Sequence, residues 1–389
     1  MTRGETWRFV FWTWLSSRLL FLVTGALGTH LLSHAPTGYP AEPPGSLNYW
    51  AHWDGAWYSS IAKEGYFGTQ WPSSANFFPF YPLLLRLGTM TGVGAPLAGV
   101  LISLAASLLV LYFAHELVRD YFDSEAARAA TLALAFFPTA FFLNAVYTES
   151  VFLAAALGSV WAARIRRDFV LAGLLGCVAA LTRNVGVFLI LPLAHEWLQR
   201  RREAGLTGLA ALALVPAGLL GYMFWLWRWS SHPLLFSTVA RVTWGRAPAN
   251  PGHTLDRAWI AARSGAAWTI RPQRVFETTT SSDPTWHAVG TFDFVFLILF
   301  LALLVLVAAR LPLGLFGYAA ATVLLPVVTP AFVLPLASVS RYVLAAFPAF
   351  FVLGTLLARS RILLGAWLAV SASLGVLLTL YFTTWRWVA

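Results

Sequence analysis

MTRGETWRFVFWTWLSSRLLFLVTGALGTHLL, residues 1–32, decides the fold. The stretch begins with Arg3 and Arg8 and then stays apolar for the length of a membrane span. A helix rises 1.5 Å per residue and needs about 20 predominantly apolar residues to cross the hydrocarbon core of a bilayer. A small-residue cleavage site is lacking, so the stretch reads as a retained first span and not as a signal peptide. One residue breaks its pattern. Arg18 sits inside the span and needs an internal partner, for which Glu149 is a candidate.

The same pattern recurs along the chain. Of the 389 residues, 59% are hydrophobic and 11% charged. A soluble domain is typically about a quarter charged. With a mean hydropathy of +0.69, the chain reads as an all-α, multi-pass membrane protein, a single membrane domain over residues 1–389. Apolar stretches near 9–32, 95–117, 128–147, 149–163, 169–182, 185–198, 206–229, 291–309, 312–332, 343–358 and 362–382 give about eleven spans. The net charge is +10, and 25 of the 26 basic residues are Arg. In a membrane chain this excess points to cytoplasmic anchoring and anionic headgroups, not to nucleic acid. Cys177 is the single cysteine, which excludes an internal disulfide or a cysteine zinc site.

Arginine placement sets the orientation. Arg3 and Arg8, then Arg119 and Arg128, Arg164 to Arg167, Arg200 to Arg202, Arg310, and Arg359 with Arg361 fall in alternate short connections, which makes that side cytoplasmic. The opposite side holds two long segments, 33–94 and 231–290, suited to surface-lying amphipathic helices.

The first long segment contains HWDGAWYSSIAKEGY, residues 52–66. On a helical wheel Trp57, Tyr58, Ile61 and Ala62 share an arc of about 140°, with Ser59 and Lys63 opposite. Asp54 starts this helix as an N-cap, as a catalytic carboxylate beneath an aromatic shelf, or as both. Glu149, in NAVYTES (144–150), suits the first turn of a helix that Thr148 caps, yet a carboxylate at membrane depth is costly and marks function. Arg183, in LTRNVG (181–186), breaks the positive-inside pattern, and Arg341, in SVSRYVLAAFPAF (338–350), falls on the same side. Guanidinium binds phosphate in bidentate geometry. Two carboxylates and two guanidiniums on one face suit a reaction on a phosphate-bearing lipid, in which an attacking hydroxyl needs a general base.

These motifs, with NFFPFYPLLLR (76–86) between the first and second, resemble in order those of the GPI mannosyltransferase II (PIG-V) family, bacterial members most closely. PLLFSTVARVTWGR (233–246) resembles the family's outer-loop segment with an aromatic and an Arg, but Ser231-His232 precedes Pro233 where the family carries Gly-Asp. The resemblance implies a GT-C type fold. It implies an inverting transfer of a sugar, mannose first, from a polyprenyl-phosphate-sugar donor to a lipid-linked or glycan acceptor on the non-cytoplasmic face. It makes Asp54 the expected base, and matches Glu149, Arg183, Asn184 and Arg341 with its neighbour Tyr342 to family positions. His52, Trp53, Trp57 and Tyr58 are candidates for donor or acceptor contact, with interfacial anchoring and packing as their alternatives. No cofactor is expected, a divalent ion between Asp54 and Glu149 being the lesser reading. The rival readings are transfer of another sugar and a lipid or small-molecule transporter. The transporter reading lacks an inverted repeat in hydropathy.

Overall fold

The computed structural model describes residues 2–35, 47–68, 70–277 and 285–388. Within the two long segments, residues 36–46, 69 and 278–284 lie outside the described residues. Among the described residues, eighteen α-helices follow in order. They are α1 (Arg3–Leu31), α2 (Asp54–Glu64), α3 (Phe80–Thr89), α4 (Ala95–Tyr121), α5 (Ser124–Ala135) and α6 (Glu149–Trp161). Then come α7 (Phe169–Thr182), α8 (Ile190–Gln199), α9 (Arg201–Leu212), α10 (Leu214–Ser230), α11 (Leu235–Trp244) and α12 (Pro251–Ile270). The last are α13 (Gln273–Glu277), α14 (Thr285–Arg310), α15 (Leu313–Val328), α16 (Val339–Tyr342), α17 (Phe347–Leu357) and α18 (Arg361–Thr383). No strand occurs among the described residues.

Helix starts follow local chemistry. Thr2 and Glu5 form a reciprocal capping box on α1. Asp123, Asp168, Asn250 and Ser360 each accept a hydrogen bond from the first turn of the helix they precede. Among the described residues, five helical stretches are long and apolar enough to cross a membrane: α1, α4, the joined Arg201–Ser230, Ala288–Arg310 of α14, and α18. A sixth arises if Val339–Ala345 and Phe347–Leu357, bent by 84°, count as one span. The remaining expected spans coincide with shorter helices, among them α7 and α15.

The reason several spans are short lies in unwound segments. The stretch expected to span as 128–147 ends its helix at Ala135 and continues, buried from Phe137 to Thr148, as irregular chain with one short 3-10 turn before α6 begins. Irregular backbone at membrane depth is tolerated only where protein satisfies its carbonyls and amides. Here Arg18 does so. Its guanidinium donates to the carbonyls of Ala135 (2.8 Å) and Ala140 (2.7 Å) and to Asn144 Oδ1 (3.0 Å). The expected Arg18–Glu149 pairing is therefore not formed, because the frayed end of α5 offers carbonyl oxygens nearer to hand. Ser103 donates to the Ala145 carbonyl (2.6 Å), Thr139 to that of Ser340 (2.7 Å), and Val146 N–H to that of Trp50 (2.9 Å). This braced segment delivers Tyr147, Thr148 and Glu149 to one end of the bundle. Packing of α6 against α4 and α7, of α5 against α17, and of α12 against α14 completes the core.

Candidate active site

Asp54 is the first residue of α2 and does not cap it. Trp53 occupies the cap position with φ 54°, and no side chain caps the helix. Tyr147 does part of that work, its hydroxyl accepting from the Asp54 N–H (3.3 Å) and donating to the His52 carbonyl (3.1 Å). The Asp54 carboxylate is thereby released for another partner. Its Oδ2 accepts a charge-assisted hydrogen bond from Arg341 Nη1 at 2.7 Å. The Asp54 side chain keeps 22% exposure, against 7% for that of Arg341.

Glu149 opens α6 at 3% exposure, and its Oε1 receives Arg183 Nη1 in a short ion pair and lies 3.5 Å from Arg341 Nε. Arg183 also donates to Thr148 Oγ1 (3.3 Å), so Thr148 serves the arginine and not the helix start. The backbone of Arg183 terminates α7, its N–H donating to the Ala179 carbonyl (2.9 Å) while its side chain crosses to Glu149. Three residues on, Gly186 lets the following 3-10 turn lie against α7. A Cβ there would meet backbone atoms of Ala179 and Ala180 at 2.5 Å. The structure thus joins Asp54, Arg341, Glu149 and Arg183 into one continuous ion-pair chain. Exposed Asn184 makes no hydrogen bond to it.

The aromatic residues sort into two groups. Trp57, one turn along α2 from Asp54, is half-buried, stacked on Phe77 (5.1 Å, 13°) and tilted against Trp244 (5.8 Å). Tyr58 is buried edge-on against Phe77 and Tyr81. Burial, reinforced by the charges of Asp54 and Glu149, holds its phenol well above the ordinary range, so it remains a neutral hydroxyl. His52 and Trp53 belong to the packing of the C-terminal segment. The His52 ring stacks on Trp385 (3.7 Å) and its Nδ1 donates to the Phe382 carbonyl (2.9 Å), while Trp53 meets Trp385 and Trp387 edge-on.

Three further residues enter the site. Tyr147, buried, lies under the Arg341 guanidinium with Cζ 5.2 Å from its ring. Asp293, buried in α14, accepts the Ser340 N–H (2.7 Å) and so fixes the start of α16, which carries Arg341 and Tyr342. Arg246 reaches Tyr342 from the segment after α11. Its position was legible only as part of a quoted loop motif. Asp293 carried a weak signal, a lone acid within an apolar run.

The model of the family described as mannosyltransferase (PIG-V) matches residues 40–210, which hold Asp54, Glu149 and Arg183 but not Arg246 or Arg341. No curated protein matches the chain. Among solved structures, the chain is similar to ArnT from Cupriavidus metallidurans bound to undecaprenyl phosphate, at 16% identity and TM-score 0.41, covering 95% of this chain and 77% of that one. It is also similar to the Archaeoglobus fulgidus oligosaccharyltransferase in the apo form, at 12% identity and TM-score 0.44, covering 95% of this chain and 56% of that one. The family match thus covers the segment that holds three of the four ion-paired residues, and glycosyl transfer is the activity that this match supports.

Proposed function

We propose that the chain transfers a sugar, mannose by its domain, from a polyprenyl-phosphate-sugar to a lipid-linked or glycan acceptor with inversion, Asp54 acting as general base. The observation that carries this is the state of the Asp54 carboxylate. It is the one partly exposed acid of the ion-pair chain. Arg341 holds its Oδ2, and its Oδ1 accepts no hydrogen bond among the described residues. A fixed, reachable carboxylate with one free oxygen is what an acceptor hydroxyl requires. The hydroxyl oxygen forms the new bond to the anomeric carbon, its proton passes to Asp54, and the old carbon–oxygen pair leaves with the lipid phosphate. Glu149 is too buried to meet substrate and acts by holding Arg183 and Arg341 in place. Trp57 offers an apolar face to a sugar ring. By arginine placement the site faces the non-cytoplasmic side, opposite Arg164 to Arg167.

The test is mass spectrometry of products after incubating detergent-solubilised protein with polyprenyl-phosphate-mannose and a membrane lipid extract. Wild type adds a hexose to a lipid or glycan, and Asp54→Asn does not. Hexose addition by Asp54→Asn at the wild-type rate removes the base assignment. No addition by the wild type with any acceptor removes the donor assignment.

A further inference from the structure

Resting on the glycosyl-transfer reading, we infer that Arg246 is the residue that binds the donor's phosphate. The two arginines singled out by sequence are already committed. Arg341 is paired with Asp54 and Glu149, and Arg183 with Glu149. Arg246 is in no ion pair among the described residues, yet it stands in the same cluster. Its guanidinium carbon lies 5.3 Å from the Tyr342 ring centre, as does that of Arg183, and that of Arg341 lies at 5.4 Å. Three guanidiniums therefore surround one tyrosine, and two of them are neutralised.

Arg246 is also held for the task. Its Nη2 donates to the Ala337 carbonyl (2.8 Å) and to Tyr342 Oη (3.3 Å), which aligns the planar group. A guanidinium has five N–H donors. Those on Nε and Nη1 have no acceptor among the described residues, and the residue is only half-buried, so they face a reachable space. The backbone is tied on both sides. Arg246 N–H donates to the Ala240 carbonyl (3.0 Å), Ala247 to Pro330 (3.3 Å) and Ala249 to Val328 (3.0 Å). Gly245 permits the turn. It has φ 63°, and a Cβ there would meet Phe332 Cβ at 2.9 Å. A fixed guanidinium whose Nη1 donors are free offers a charge-assisted hydrogen bond to a phosphate oxygen. The donor phosphodiester carries one negative charge. As its carbon–oxygen bond breaks, the electron pair stays on the phosphate oxygen and the charge rises to two. Arg246 meets the first charge on binding, and the increase strengthens the contact in the transition state.

The experiment measures binding of undecaprenyl phosphate, and of the uncharged polyprenol of the same length, to purified full-length protein. Wild type is compared with Arg246→Ala and Arg246→Gln, the second keeping an amide donor for the Ala337 carbonyl. Both variants are expected to bind the phosphate at least about tenfold more weakly, the cost of one charge-assisted pair, with polyprenol binding unchanged. If either folded variant binds the phosphate within twofold of wild type, the assignment to Arg246 falls while the transfer reading stands. Equal losses for phosphate and polyprenol also overturn it, since the residue then shapes the lipid site and does not read charge. If wild type prefers neither lipid, this inference and the polyprenyl-phosphate donor fall together, while hexose addition from another donor leaves glycosyl transfer intact.

Discussion

Helix α6 carries an acid–arginine cluster at each of its ends, and the two are finished differently. Beyond its C-terminus, Arg164 meets Asp120 Oδ2 (2.5 Å) and Glu196 Oε1 (3.0 Å), and its guanidinium lies 3.8 Å over the Tyr121 ring. The Tyr121 hydroxyl donates to the same Glu196 oxygen (3.2 Å). None of these side chains has a buried polar atom without a partner. At the N-terminal end, Glu149 Oε2, Ser150 Oγ, Ser340 Oγ and Arg341 Nε are all buried without a hydrogen bond among the described residues. Buried polar groups are normally satisfied, and each exception asks for a reason. The same residue chemistry thus closes a joint at one end and stays under-satisfied at the other. Joint-building favours complete pairing. A site that gathers charge for catalysis tolerates that cost, whereas a joint gains nothing from it.

The comparison breaks first at Asp54. Asp54→Asn keeps the shape of the residue and removes its basicity, so the transfer rate falls by about 10² to 10⁴, the usual worth of a general base. Product formation under single-turnover conditions reads this, and a retained cooperative unfolding transition shows that α2 survives the loss of the Asp54–Arg341 charge pair. A rate within threefold of wild type makes the N-terminal cluster another joint.

Arg341 is the next largest case. Arg341→Met leaves Asp54 and Glu149 facing each other without their shared cation. Breaking a buried pair from one side costs about 3 to 5 kcal/mol. Thermal or detergent-denaturation midpoints drop accordingly, and transfer is lost with them. Restoring stability through the double variant Arg341→Met with Asp54→Asn, while transfer stays absent, separates the two roles of the pair.

How far this was legible depends on the kind of evidence. Apolar stretches announce membrane helices because lipid demands them, and α1, α4, α14 and α18 stand where hydropathy puts them. The break after Ala135 is marked only by Pro138, since residues 136–148 are otherwise as apolar as the helix before them and hydropathy carries the span through. What holds it is polar and distant: Arg18 and Ser103 satisfy its carbonyls from other elements, and its own Thr139 donates outward to the Ser340 carbonyl. Arg18 was visible as a buried charge in need of a partner, but a sequence does not show that the partners are carbonyls. The grouping of Asp54, Glu149, Arg183 and Arg341 was accessible through topology and ordered motifs. Which arginine pairs with which acid was not, since that depends on 287 residues of separation between Arg341 and Asp54 being closed in space.

Arg183 gives a smaller and more selective effect. Its pair with Glu149 adjoins Thr148 and Tyr342, so Arg183→Ala disturbs the donor side without touching Asp54. The expected result is a rise in KM for the polyprenyl-phosphate-sugar smaller than the loss that Arg246→Ala gives, because Arg183 is spent on Glu149 and reaches the donor side only through Tyr342, with a smaller change still in kcat. A variant with wild-type KM reduces Arg183 to a counter-ion of Glu149.

The smallest effect tests the other end of α6. Arg164 is 24% exposed, so water partly screens its pairs with Asp120 and Glu196. Arg164→Met is expected to lower stability by about 1 to 3 kcal/mol, chiefly because the Glu196 carboxylate, 4% exposed, loses its cation and keeps only the Tyr121 hydroxyl. Adding Glu196→Gln removes the unpaired charge and recovers part of that loss. In both variants transfer per folded molecule stays at the wild-type level, since α6 separates the two clusters by about 20 Å, the length of its 13 residues. A fall in transfer that tracks Arg164 and is rescued by Glu196→Gln would mean that the closed joint sets the position of Glu149 through the helix. The two ends of α6 would then be one device and not two.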